Sequence, residues 1–316
     1  LPPPRSMTPA ASGAAAARGL GGGPGDQVGH VETSAGKIRF KRSGGRPPEP
    51  PVLALPGAAG RAEHVLVQGV PGLVALDWPG SGESTSASPR CTTRRLAELV
   101  SEVIDALGWA RVVVLGHSLG AMVAMHLLRQ DARVVGALLV SPTPGLPHCL
   151  RQGIWPFPVR GVLALIACAL SLCDVTDLEA CSRSDLNRAW LLRGLEQRTL
   201  TAEALRLAEE SSRPGPAAAA GLGVWLRRRL GDFAALSAVL THHARPRAGG
   251  RPVALAWGAE DWLVDGRASQ LAADLVAAGG EARVRAQRLA GCGHFLQFAA
   301  PGRLARLLEE VVADAA

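Results

Sequence analysis

The pentapeptide Gly116-His117-Ser118-Leu119-Gly120 constrains the fold of this chain more than any other stretch. Before it, Arg111-Val112-Val113-Val114-Leu115 is a β-branched apolar run of strand length. After it, the residues from Ala121 to Arg129 are good helix formers. A buried strand must therefore turn abruptly into a helix. Glycines two residues to either side of the serine leave room for the strained backbone that such a turn imposes. The serine is thrust out of the sheet with a helix start behind it, where backbone N–H groups and the positive helix end favour an anion. The segment reads as a nucleophile elbow. The bland alternative, a surface turn with an idle serine, does not account for the strand–turn–helix context.

A chain of 316 residues can bury a large core, as one domain or as a domain with an insertion. Apolar residues at 47% and charged residues at 19% suit a soluble globular protein. The net charge of +7 rests on arginine, since lysine occurs only at Lys37 and Lys41. The arginines are scattered among acids and form no dense block, so the charge reads as compositional bias and not as a nucleic-acid or anionic-lipid surface. The six cysteines include no C-x-x-C pair, which removes the usual zinc and redox spacings. They read as free thiols, with a bridge inside 168–181 left open.

Residues 1–27 read as a flexible leader rich in Pro, Ala and Gly. Its shortage of acids also fits an organellar transit peptide, so the expected location is cytoplasmic or, alternatively, an organelle. From Val28, two strand-like runs (28–32 and 37–42) flank Thr33-Ser34-Ala35-Gly36, a hairpin signal. Short apolar strands follow at 52–55 and 72–77, then an amphipathic helix at 92–107, the elbow strand with its helix, and a strand at 134–140. The rhythm resumes at 252–257, with a helix at about 266–278, a strand near 283–289 and a last helix from Pro301 to about Val312. Strands that are apolar on both faces and alternate with helices predict a mostly parallel twisted sheet covered by helices on both faces. Between the two halves, 145–249 reads as helices only and is expected to form an inserted cap. The core is then 28–144 with 250–316. The most apolar cap piece, 161–173, is too short to span a bilayer. It reads as a packed cap helix, with peripheral lipid contact as the lesser reading.

A serine hydroxyl needs a general base, and the base needs an orienting acid. Trp257-Gly258-Ala259-Glu260-Asp261 follows one late strand, and Gly291-Cys292-Gly293-His294-Phe295 follows the next. Loops after parallel strands open on one edge, so Ser118, Asp261 and His294 can meet there. Their order, serine, acid, histidine, suits that architecture. Glu260 and Asp265 are rivals for the acid. His117 is expected to point away from the hydroxyl and to serve packing or the oxyanion loop. His126 reads as a core or surface residue, and Cys292 as a chance neighbour of His294. His242-His243 offers no metal site, and the glycines around Gly57 and Gly80 lack a phosphate-loop ending.

With Asp77-Trp78-Pro79-Gly80-Ser81-Gly82-Glu83-Ser84 and Gly293-His294-Phe295-Leu296, these motifs resemble the α/β-hydrolase superfamily from about Val28 to the C-terminus. The resemblance implies Ser118 as nucleophile, His294 as general acid/base and Asp261 as orienting acid. It also implies an oxyanion hole from the N–H of Leu119 and that of Ala58, with Ala59 as the other candidate. Where many relatives carry His-Gly, this chain has Pro56-Gly57.

The expected function is cleavage of a carboxylic ester with a hydrophobic acyl or alcohol part. Thioester or carbon–carbon bond hydrolysis, and a non-catalytic small-molecule receptor or scaffold, are the alternatives. Apolar cap residues such as Trp155 and Phe157, together with Trp262, are expected to line the substrate site. No cofactor or metal is expected. The expected partner is a small-molecule substrate, with no nucleic acid and no integral membrane segment.

Overall fold

In a computed structural model of the chain, the described residues are 25–57, 60–85, 93–142, 250–261 and 284–316. The apolar runs pair into one eight-stranded sheet: β1 (Gln27–Thr33), β2 (Gly36–Arg42), β3 (Val52–Leu55), β4 (Val74–Leu76), β5 (Val112–His117), β6 (Val134–Val140), β7 (Val253–Gly258) and β8 (Val284–Leu289). Their spatial order is β1-β2-β4-β3-β5-β6-β7-β8. The first two strands form the expected hairpin, and β2 pairs antiparallel with β4. Every pairing from β4 to β8 is parallel.

Helices α1 (Thr93–Ala106) and α2 (Leu119–Gln130) cover one face. In α1, Leu96, Leu99, Val100, Val103 and Ile104 recur at helical spacing and are all buried. Helix α4 (Pro301–Ala315) covers the other face with Leu304, Leu308 and Val311. Its Pro301 sits in the first turn, where a missing N–H breaks no helical bond. A short α3 (Leu296–Ala299) precedes it, and a 3-10 turn spans Ala62–His64.

Strands β3, β5 and β7 are buried at every position, as central parallel strands should be. The expectation of two apolar faces fails for β8. Its Ala286, Gln287 and Arg288 are exposed because it forms the sheet edge. The leader's residues 1–24, the expected cap 145–249 and the expected helix near 266–278 lie outside the described residues.

Candidate active site

At the C-terminal end of β5 the chain reverses through Ser118, whose φ of 53° and ψ of −113° place a non-glycine residue in left-handed backbone. Its N–H donates to Val140 O at 2.8 Å, which ties the elbow to β6. Both flanking glycines are sterically required. A Cβ on Gly116 would collide with the Gly120 carbonyl, and one on Gly120 would collide with the carbonyls of Leu55 and Pro56. Helix α2 starts at Leu119, so the Leu119 N–H has no intrahelical acceptor and takes none elsewhere among the described residues.

Two further loops leave the same edge. After β7, Glu260 N–H donates to Cys292 O at 2.9 Å, and Ala259 N–H donates to Leu289 O at 2.8 Å. A Cβ on Gly258 would strike the carbonyls of Cys292 and Gly293, so the two loops are pressed together where that glycine lies. This clamp brings His294 Nδ1 to 2.8 Å from Asp261 Oδ2, with both side chains 2% exposed. A carboxylate only accepts, so Nδ1 carries the hydrogen and Nε2 is left as the basic nitrogen. Of the rivals for this acid, Glu260 is exposed and Asp265 lies outside the described residues.

His117 turns its ring to the His294 loop. Its Nε2 donates to His294 O at 3.0 Å, and the two rings lie 4.9 Å apart. Burial holds the His117 imidazole well below its ordinary pKa, and repulsion from His294 adds to this. It is therefore a neutral strut that fixes the backbone of the candidate base. Ser118 Oγ makes no hydrogen bond to His294 among the described residues. The elbow and the His294 loop meet through the His117 ring.

The Pro56-Gly57 segment lies against the elbow: a Cβ on Gly57 would stand 3.3 Å from Ser118 Cβ and 3.1 Å from His117 Nδ1. Trp78 holds this segment, its indole N–H shared between Pro56 O at 2.9 Å and Gly57 O at 3.1 Å. The far end of the same loop is held by Asp77, which accepts from Ala62 N–H at 2.8 Å and faces Arg39 at 3.2 Å. Arg39 in turn bridges to Glu63 at 2.8 Å. Burial raises the Asp77 carboxyl above its ordinary pKa, against the pull of the Ala62 N–H and of Arg39. The positioning by Trp78 and Asp77 has one signal in the sequence, the run Asp77–Ser84, and that run does not show which backbone groups the two side chains hold.

Of the residues singled out in the sequence, Ser118, Leu119, Asp261 and His294 gather on one rim. Ala58, Ala59, Trp155, Phe157 and Trp262 lie outside the described residues. Among the described residues no group of three or more His, Cys, Asp or Glu side chains could hold a metal ion. Cys292 is a buried free thiol. No helix among the described residues is long and apolar enough to cross a membrane.

A parallel sheet with a strained serine elbow and a histidine–carboxylate pair at one edge is the arrangement of an α/β-hydrolase. Residues 52–307 match the Alpha/beta hydrolase family, so the chain belongs to that family. It is 31% identical over 116 residues to Protein PHYLLO, chloroplastic, of Arabidopsis thaliana, a match covering 32% of this chain and 7% of that protein. It is also 31% identical over 145 residues to the dihydrolipoyllysine-residue acetyltransferase component of the acetoin cleaving system of Cupriavidus necator, over 41% of this chain and 38% of that protein. The chain thus matches well under half the length of each of these two relatives. Among solved structures, Est816, described as an N-acyl homoserine lactone degrading enzyme, superposes with a TM-score of 0.60 at 21% identity, over 89% of this chain and 99% of that one.

Proposed function

We propose that the protein is a serine hydrolase that cleaves carboxylic esters through Ser118, His294 and Asp261. The observation that carries this reading is the 2.8 Å bond from the buried His294 to the buried Asp261, beside a serine in strained backbone. Asp261 holds the imidazole in the tautomer whose Nε2 accepts a proton. Ser118 Oγ attacks the ester carbon while its proton passes to Nε2. The bond between serine and base is commonly long in an empty site and tightens once substrate is bound. The carbonyl oxygen becomes an oxyanion facing the Leu119 N–H, with a second donor from Ala58 or Ala59. Each such donor is worth about 10²–10³ in rate. Collapse breaks the carbon–oxygen bond, and His294 gives its proton to the departing alcohol. Water then attacks the acyl-enzyme, losing a proton to the same nitrogen; the bond from carbon to Ser118 Oγ breaks, His294 returns the proton to that oxygen, and the acid leaves.

The apolar composition around Trp155, Phe157 and Trp262 supports a hydrophobic acyl or alcohol part. The lactone handled by Est816 is itself a cyclic carboxylic ester, which agrees with this bond type. Short- and long-chain 4-nitrophenyl esters test the proposal. The account predicts a burst of one equivalent of nitrophenol, faster turnover of the longer acyl chains, and no burst from Ser118→Ala. A burst that survives in Ser118→Ala contradicts it.

A further inference from the structure

Two non-glycine residues have positive φ among the described residues, and both are serines: Ser118 at 53° and Ser141 at 44°. Both stand one residue past the C-terminal end of a parallel strand. In the β5–β6 register His117 faces Val140, so Ser118 and Ser141 are the next pair outward. Each is tied to the following strand in the same way: Ser118 N–H donates to Val140 O and Ser141 N–H to Ala256 O, both at 2.8 Å. Ser141 thus shares the positive φ and the cross-strand bond of Ser118 one strand over, between the strand that carries Ser118 and the strand that leads to Asp261.

Its side chain differs from that of the buried Ser84. Ser84 gives its hydroxyl to Asp77 O at 3.1 Å and accepts from Arg39 N–H at 2.8 Å. Ser141 is 1% exposed, and its Oγ has no hydrogen-bond partner among the described residues. An unpaired buried hydroxyl and a left-handed serine both cost stability, and glycine would relieve both at once. Among the described residues no hydrogen bond to the hydroxyl offsets either cost.

We infer that the Ser141 hydroxyl binds substrate: it hydrogen-bonds an oxygen that the substrate carries close to its ester. This rests on the ester-hydrolase reading of the Ser118 site. Adjacent strands lie about 4.8 Å apart, which is about the reach of two or three carbon bonds from the attacked carbon. The substrate class is therefore an ester with a hydroxyl or carbonyl oxygen within two or three carbons of the scissile group. That oxygen can sit on the acyl or the alcohol side.

The test compares paired substrates on the parent, Ser141→Ala and Ser141→Gly. One pair is 4-nitrophenyl 3-oxobutanoate with 4-nitrophenyl butanoate. The other is 2-hydroxyethyl butanoate with propyl butanoate. In at least one pair, both variants should lose about five- to tenfold in kcat/KM on the oxygen-bearing ester, the worth of one neutral hydrogen bond. The plain partner should change less than about twofold. The first pair responding places the oxygen on the acyl side, the second on the alcohol side. Ser141→Gly should melt no lower than the parent. Equal losses on both members of each pair, or no loss on any, overturn the inference. So does a drop in melting temperature with activity unchanged, which would mark a structural hydroxyl. A parent that neither hydrolyses these esters nor reacts with a fluorophosphonate overturns the ester-hydrolase reading, and the Ser141 contact with it.

Discussion

Ser118 occupies a backbone region that costs a serine about 1–3 kcal/mol, and its neighbours explain why the chain keeps it there. Gly120 faces the carbonyls of Leu55 and Pro56, and Gly116 faces the backbone of Gly120. Gly120→Ala should therefore destabilise the fold by about 2–3 kcal/mol, measured by urea unfolding. A variant as stable as the parent would mean that this close approach is absent. At this scale much of the candidate site is legible in the sequence. The two glycines and the serine announced the turn, and the short offsets after Trp257-Gly258 and Gly291 brought forward Asp261 and His294. What stayed hidden were groups whose roles depend on a distant partner. His117 bonds to a carbonyl 177 positions away, and no spacing rule shows that. Ser141 lies in Ser141-Pro142-Thr143-Pro144, a stretch that reads as an ordinary strand end.

At the scale of elements, the loop from Pro56 to Ala62 is held at both ends by consecutive residues after β4. Trp78 holds its start and Asp77 its end. This loop carries the two candidates for the second oxyanion donor. Trp78→Phe keeps a buried aromatic ring, at somewhat smaller volume, and removes the indole donor. It should lower kcat about tenfold while KM changes less than twofold, because loosening a donor affects the oxyanion more than ground-state binding. A change in KM alone would instead assign Trp78 to the substrate pocket. The strands and helices themselves were readable from periodicity. Their spatial order was not: β4 lies between β2 and β3, and adjacency in sequence says nothing of this crossover. The 3-10 turn at Ala62–His64 and the short helix α3 escaped for a related reason. Each is one turn long and too short to show a period.

Among the described residues, desolvation fixes the protonation of the His64 and His117 imidazoles. His64, which accepts the Arg61 N–H at 3.1 Å, is pushed down to about 4 by burial, and His117 also lies well below its ordinary value. Unfolded, both would titrate near 6.5. Below that pH the unfolded chain binds protons that the folded chain refuses, so stability falls with pH from about 6.5 towards 4. Asp77 works in the opposite sense: its raised carboxyl binds a proton more readily when folded, which favours the fold only as pH drops into the carboxylate range. Melting temperatures should accordingly be lower at pH 5 than at pH 7, and His64→Gln should flatten that difference. A profile level across this window would contradict the buried neutral imidazoles.

The central claim is that one strained serine at the rim of the sheet is the nucleophile. Reaction with a fluorophosphonate, followed by mass mapping of the modified peptide, tests it most directly. The account predicts one label per chain, on Ser118, absent from Ser118→Ala and formed far more slowly in His294→Ala. A label on another residue, or undiminished labelling of Ser118→Ala, would contradict it.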